Sequence, residues 1–217
     1  MGWRSWLYRS PERYDRMLQW LHGDSIGQRF QEIAALVGPQ KRVLDLGAGT
    51  GTLAGFLNEG CAYVAADLNP DFLEHVRSNG HEALALDVFD FGGYPSDVDV
   101  VVAADLLHHL VPRVPEFLGG LASIGIGQVI VCESYPYGAR LASRILGPIM
   151  DNDGFNNIPA RLQHHLFDEF TEEGLREMYR DLFPSHRGEH KLLSERGNPG
   201  KERRGWETLI SSFTRES

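Results

Sequence analysis

The sequence predicts an α/β domain whose largely parallel sheet closes with an antiparallel hairpin. Three observations carry that expectation. Short apolar runs alternate with helix-spaced segments from about residue 41 to residue 133. One run, Val100-Val101-Val102-Ala103, is apolar at every position, as suits a central strand covered on both faces. The last third drops the alternation, with Gly197-Asn198-Pro199-Gly200 separating two strand-like segments. Strands separated by helices run parallel through right-handed crossovers, whereas strands joined by a turn run antiparallel.

Residues 1–38 read as a helical cap. Ser10 is placed to cap a helix with Pro11 at its first position, and Tyr14, Met17, Leu18 and Leu21 follow at helical spacing. A second helix spans about Ser25 to Val37 and stops at Gly38-Pro39. Strands are expected at Arg42–Leu46, Ala62–Ala66, Glu82–Leu86, Val98–Ala104 and Gln128–Cys132, with a helix after the glycines that follow Leu46 and another from Asn69-Pro70 to Asn79-Gly80. Thr171-Glu172-Glu173 opens a late helix with a capping hydroxyl and two carboxylates at its positive end. Strands near Glu189–Ser194 and Trp206–Phe213 complete the hairpin. Between the fifth strand and the late helix, residues 134–170 form an insertion, with Tyr135-Pro136-Tyr137 and then Leu141, Ile145, Leu146 and Ile149 at helical spacing. Its position suggests a lid, and Trp3, Trp6, Tyr8, Tyr14 and Trp20 could close the site from the other side.

The whole of residues 1–217 is expected to form one domain. A net charge of −9, from 21 basic and 30 acidic side chains, argues against a nucleic-acid partner, because phosphate neutralisation dominates such binding. The two cysteines, Cys61 and Cys132, border apolar runs and read as reduced, buried thiols. With no apolar run of membrane-spanning length and Arg4, Arg9, Glu12 and Arg13 near the start, a cytoplasmic protein without a membrane span is expected.

Chemistry concentrates at Val43-Leu44-Asp45-Leu46-Gly47-Ala48-Gly49-Thr50-Gly51, an apolar strand running into three alternate glycines. Glycine lets a backbone turn tightly and approach a ligand without an intervening Cβ. Asp67 follows sixteen positions after Gly51, where a carboxylate can accept both hydroxyls of a ribose, and Asp87 is placed to accept from an adenine amino group. Aspartates also favour strand ends as turn formers; three aligned with a glycine loop point instead to a ligand at the carboxyl edge. The spacing is G-x-G-x-G rather than the G-x-G-x-x-G of dinucleotide sites, and Asp45 would repel a diphosphate. A sulfonium carrying an amino group would welcome that carboxylate.

On these motifs the chain resembles the class I S-adenosylmethionine-dependent methyltransferases, in particular the small-molecule branch that includes the quinone methyltransferases. The resemblance covers about residues 41–133. It implies a Rossmann-like three-layer sandwich with a seven-stranded sheet of order 3-2-1-4-5-7-6 and strand 7 antiparallel, and S-adenosylmethionine as cofactor. The implied cofactor residues are Asp45, Gly47, Ala48, Gly49 and Gly51 in the first motif, Asp67 and Leu68 after the second strand, Asp87 and Val88 after the third, and Ala104 and Asp105 after the fourth. His165-Leu166-Phe167 through Leu175 is similar to the stretch before the family's last helix.

Methyl transfer from a cationic donor needs orientation and a dry site more than a nucleophile. The catalytic candidates are His108, His109 and Glu133. Asp105, His108 and His109 fall at i, i+3 and i+4, so a helix would present them together. His109 could serve as base or orienting group, or either histidine could simply pack beneath the sheet edge. Glu133 could contact substrate or cap a helix. Relatives with acid-x-x-Glu-His here bind a divalent ion; His108 replaces that glutamate, and no metal is expected. Asp105 is followed by Leu-Leu-His rather than Pro-Pro-Tyr, which argues against adenine-N6 or glutamine methylation. Asp151-Asn152-Asp153-Gly154 reads as a turn, since Phe155 breaks the calcium-loop pattern, and Arg196, Lys201, Arg203 and Arg204 read as a solvated loop. The expected acceptor is a small aromatic or apolar molecule. An NAD(P)-dependent oxidoreductase and a non-catalytic cofactor-binding partner subunit are the alternatives.

Overall fold

The computed structural model describes residues 6–22, 25–137, 170–194 and 205–216. Two helices, α1 (Pro11–His22) and α2 (Ser25–Val37), precede the sheet. The chain then alternates through β1 (Arg42–Leu46), β2 (Ala62–Asp67), α3 (Pro70–Ser78), β3 (Glu82–Ala85), β4 (Val100–Ala104), α4 (Leu107–Leu110), α5 (Val114–Ser123) and β5 (Gln128–Tyr137). It closes with α6 (Glu172–Leu182), β6 (His186–Ser194) and β7 (Gly205–Arg215). Among the described residues seven strands form one sheet, β3-β2-β1-β4-β5-β7-β6. β1 to β5 pair in parallel, and β7 runs antiparallel to both β5 and β6. This is the expected Rossmann-like order.

Strand alternation divides the core into two layers. Register aligns Leu44, Val101 and Val129, which point to one face with Leu46, Ala103 and Val131. There they meet Phe117 and Leu121 of α5 and Leu175 and Tyr179 of α6, all essentially without exposure. Val43, Val100, Val102 and Ile130 point to the other face, against Ile33 and Val37 of α2 and Val76 of α3. Period-two alternation within apolar runs therefore feeds both layers at once, which is why these strands lack a polar face.

Ends follow local chemistry. Pro11 opens α1; the Ser10 carbonyl accepts from the Arg13 and Tyr14 N–H groups, while the Ser10 hydroxyl donates to the Glu12 carboxylate. The Asn69 side chain accepts from Asp71 N–H at the start of α3, and Thr171 Oγ1 accepts from Gly174 N–H at the start of α6. Three expectations shift. The segment after Gly51 forms only a 3₁₀ turn, Thr52–Phe56, because Gly55 and the left-handed Gly60 leave little room for a full helix. β3 ends at Ala85, so Asp87 lies two residues beyond it. β5 continues to Tyr137, which makes residues 134–137 strand; the rest of the suspected lid, the 151–154 turn and the Arg196–Arg204 group lie outside the described residues. Of the two cysteines, Cys132 is buried, whereas Cys61 is half-buried and donates to the Gly38 carbonyl.

Two adjacent glycines of α5 should respond oppositely to alanine. A Cβ at Gly119 meets nothing, so Gly119→Ala should stabilise by about 0.5–1 kcal/mol through helix propensity. At Gly120 a Cβ would fall 2.0 Å from Cζ of Phe91, and Gly120→Ala should cost about 1–3 kcal/mol. Urea midpoints of the two variants should move in opposite directions.

Candidate functional site

Gly47, Gly49 and Gly51 all adopt left-handed backbone, with φ of 65°, 56° and 77°. A Cβ at Gly47 would stand 2.8 Å from Leu106 Cδ1, and one at Gly49 would stand 3.2 Å from Tyr14 Cε1. Both positions demand glycine twice over, by conformation and by space. Asp67 holds the loop in place: Oδ2 accepts from Gly49 N–H (2.9 Å) and Oδ1 from Asn69 N–H (2.7 Å). α1 braces it from outside, where Thr50 donates to Asp15 Oδ1 (2.6 Å) and Tyr14 packs with Tyr8 and Phe72. Asn69 adds a hydrogen bond to the Tyr8 carbonyl (2.9 Å).

One cavity gathers these pieces at the carboxyl edge of the parallel strands. Gly47, Gly49, Asp67, Leu68, Asp87, Val88, Ala104 and Asp105 line it, and so do Tyr8 and Tyr14. Eight of the eleven expected cofactor residues therefore share one wall system. Asp45, Ala48 and Gly51 sit behind it. Ala48 donates to the Ala66 carbonyl (3.1 Å), tying the loop to β2. Asp45, only 4% exposed, accepts from the Tyr63 hydroxyl (2.7 Å). Burial pushes its carboxyl up to about 7; the tyrosine partly opposes the shift, and the charge of Asp67 adds to it. At the far end, Asp87 Oδ1 accepts from Phe89 N–H (3.0 Å), and Arg113 stacks 3.6 Å above the Phe89 ring.

The turn after β4 is pinned from several sides. Asp105 adopts φ 49°, outside the helical region, so it precedes α4 rather than sharing a face with the histidines. Its N–H donates to the Cys132 carbonyl (2.8 Å), and its Oδ2 accepts from Arg29 Nη1 (2.7 Å). Glu133, without exposure, accepts from Leu107 N–H (2.9 Å) and meets His108 Nδ1 at 2.6 Å. Burial raises the Glu133 carboxyl, against the pull of His108. Glu133 thus anchors the first turn of α4, and His108 faces Glu133. Neither lines the cavity; His109 does, its ring 4.3 Å from that of His108. Burial, and then the neighbouring His108, hold the His109 pKa well below the ordinary value. His109 is therefore a neutral imidazole at neutral pH, suited to hydrogen bonding rather than to carrying a proton.

Sequence reasoning missed Arg29, which is 3% exposed and joins α2 to both Asp105 and Ser134. Its neighbours in Gln28-Arg29-Phe30 give no signal that it turns inward. Among the described residues no three His, Cys, Asp or Glu side chains are grouped to hold a metal, and no helix is long and apolar enough to cross a membrane.

Comparisons with known proteins agree with this geometry. Residues 44–124 match the family described as a methyltransferase domain. The fold is similar to a chain of the complex between the Haloferax volcanii Trm112 methyltransferase activator and a methyltransferase, at 15% identity, full coverage of both chains and a TM-score of 0.69. It is also similar to YcgJ of Bacillus subtilis (12% identity, 88% of this chain and 100% of that one, TM-score 0.61). A third likeness is to the arsenic(III) S-adenosylmethionine methyltransferase of Chlamydomonas reinhardtii (14% identity, 82% and 64%, TM-score 0.54). No curated protein sequence matched. The resemblance to class I methyltransferases is thus borne out in motif and fold.

Asp45 gives a stability prediction with a definite sign. Its folded pKa of about 7 lies above the ordinary 3.8, so the folded state holds that proton more tightly. The contribution is complete below pH 3.8 and is lost as pH rises through about 7. Asp45→Asn keeps the shape without the charge. Its stability relative to wild type should rise between pH 4 and 7, by up to roughly 4 kcal/mol. Equal stability differences at both pH values in urea melts would show that the carboxyl is not so shifted.

Proposed function

We propose that the chain transfers a methyl group from S-adenosylmethionine to a small aromatic or apolar acceptor by in-line displacement. The convergence of the glycine loop, Asp67, Asp87, Asp105 and a neutral His109 on one cavity carries this reading. The site fits the cofactor on its own terms. Gly47 and Gly49 present bare backbone to the cavity, and the Asp67 carboxylate, a group that can accept from a diol, lines it beside them. Asp87 can accept from an adenine amino group, with Leu68 and Val88 as apolar walls. The carboxylates of Asp67, Asp87 and Asp105 on the cavity wall suit a cation. Those same charges, with the missing third glycine, weigh against an NAD(P) site.

When bound, S-adenosylmethionine supplies a methyl group on a positively charged sulfur. The chain's own work is then to orient and to exclude water. Tyr8, Tyr14 and Phe72 provide an apolar wall beside the glycine loop. His109, a neutral imidazole on the cavity wall, orients an acceptor hydroxyl or amine by a hydrogen bond. His108 and Glu133 hold α4, and with it His109. Residues 1–217 work as one cytoplasmic domain.

A second reading concerns partners. The Haloferax structure, similar over its full length, contains a methyltransferase activator, so this chain too works with a protein partner. Tritiated methyl transfer into a cell extract, by the purified chain alone and after partner capture, separates the two.

Calorimetry tests the leading reading directly. Wild type should bind S-adenosylmethionine with micromolar affinity, and Asp67→Ala should weaken it at least tenfold. His109→Ala should leave affinity within about threefold while slowing methyl incorporation about a hundredfold or more. Absence of binding by the wild type would sink the proposal.

A further inference from the structure

Outside the residues assigned above, one buried charge faces the site from an element with no expected part in it. Arg29 belongs to α2, on the opposite side of the sequence from β4 and β5. It is 3% exposed, and a guanidinium cannot shed its proton, so the charge must be met inside the protein. Its Nη1 donates to Asp105 Oδ2 at 2.7 Å and to Ser134 Oγ at 2.5 Å. Ser134 in turn lies 3.0 Å from the hydroxyl of Thr208, which is buried on β7. One cation thus ties α2, the turn after β4, β5 and, through Ser134, β7 together.

Asp105 is the member that lines the cavity, and it holds a left-handed backbone, uncommon for an L-residue though better tolerated by aspartate than by most. Contacts that help to hold it include the N–H bond to Cys132 and the ion pair to Arg29. The first fixes the backbone and the second fixes the carboxylate.

We propose that Arg29 is a positioning residue of the cofactor site, setting the place and orientation of the Asp105 carboxylate at the cavity wall. This rests on the reading of the cavity as an S-adenosylmethionine site. Arg29 touches no reacting atom; it acts through Asp105. Both bonds leave from Nη1, so one guanidinium nitrogen joins α2 to the residue after β4 and to β5.

The test is a double-mutant cycle read by calorimetry with S-adenosylmethionine on the full chain. Arg29→Met should weaken binding about tenfold, and Asp105→Ala by a comparable factor. The double variant should lose clearly less than the product of the two single losses, since the effect that runs through the Asp105 carboxylate is already gone. Arg29→Lys should recover part of the loss. Urea melts on each variant separate positioning from folding, because a purely structural arginine would lower the midpoint and leave affinity unchanged. If Arg29→Met does not fold, the comparison runs through Arg29→Lys and Asp105→Asn, with the same non-additivity expected. Affinities of the Arg29 variants within twofold of wild type, or losses that multiply in the double variant, overturn the role. No binding by the wild type overturns the cofactor reading beneath it, and this role with it.

Discussion

The pairing of β1 with β4 is the constraint on which the rest of the molecule depends. Strand order runs outward from that pair in both directions, so the segment after β1 leads toward β2 and the segment after β4 leads toward β5. The two loops diverge, and a crevice opens above the strand ends. Nothing in the glycine loop or in α4 makes this opening; both only furnish it. The apolar runs of β1 and β4 must be buried on both faces, and burial of both faces forces the crossovers that split the loops. Core and site are thus consequences of one pattern of hydrophobicity.

Polar groups beneath the crevice are arranged to hold it open in one shape. Asp67, Glu133 and Arg29 are each spent on backbone or on another charge before any ligand is considered. Such groups are expensive to bury alone, and here each has partners. The loops around the cavity therefore gain their order from folding. A protein with a net charge of −9 can carry this density of internal carboxylates because Tyr63, His108, Arg29 and backbone N–H groups meet them individually.

How much of this was legible follows from how local each signal is. The loop at Gly47–Gly51, with Asp67 after β2, is written in a strand pattern followed by glycines, and the structure brings Gly47, Gly49 and Asp67 to one cavity. The positions of His108 and Glu133 were not legible, because spacing alone treats Asp105 to His109 as one helix, whereas φ 49° at Asp105 starts α4 later and turns His108 toward β5. The extension of β5 was hidden by Pro136. Beyond Cys132 that strand pairs with β7 alone, so a proline there need not break a shared ladder. Arg29 could not be read at all, since its partners lie 76 and 105 residues away.

Asp67 shows what such prior commitment does to recognition. Its two oxygens are each anchored by a backbone N–H from a different loop, one before and one after the β2 crossover. A ligand that reaches it meets a carboxylate whose torsion is already chosen. Flexible acids sort ligands by charge; an immobilised one sorts them by the distance between two hydroxyls. Geometry, rather than affinity for any alcohol, then sets which molecules this edge of the sheet can tell apart.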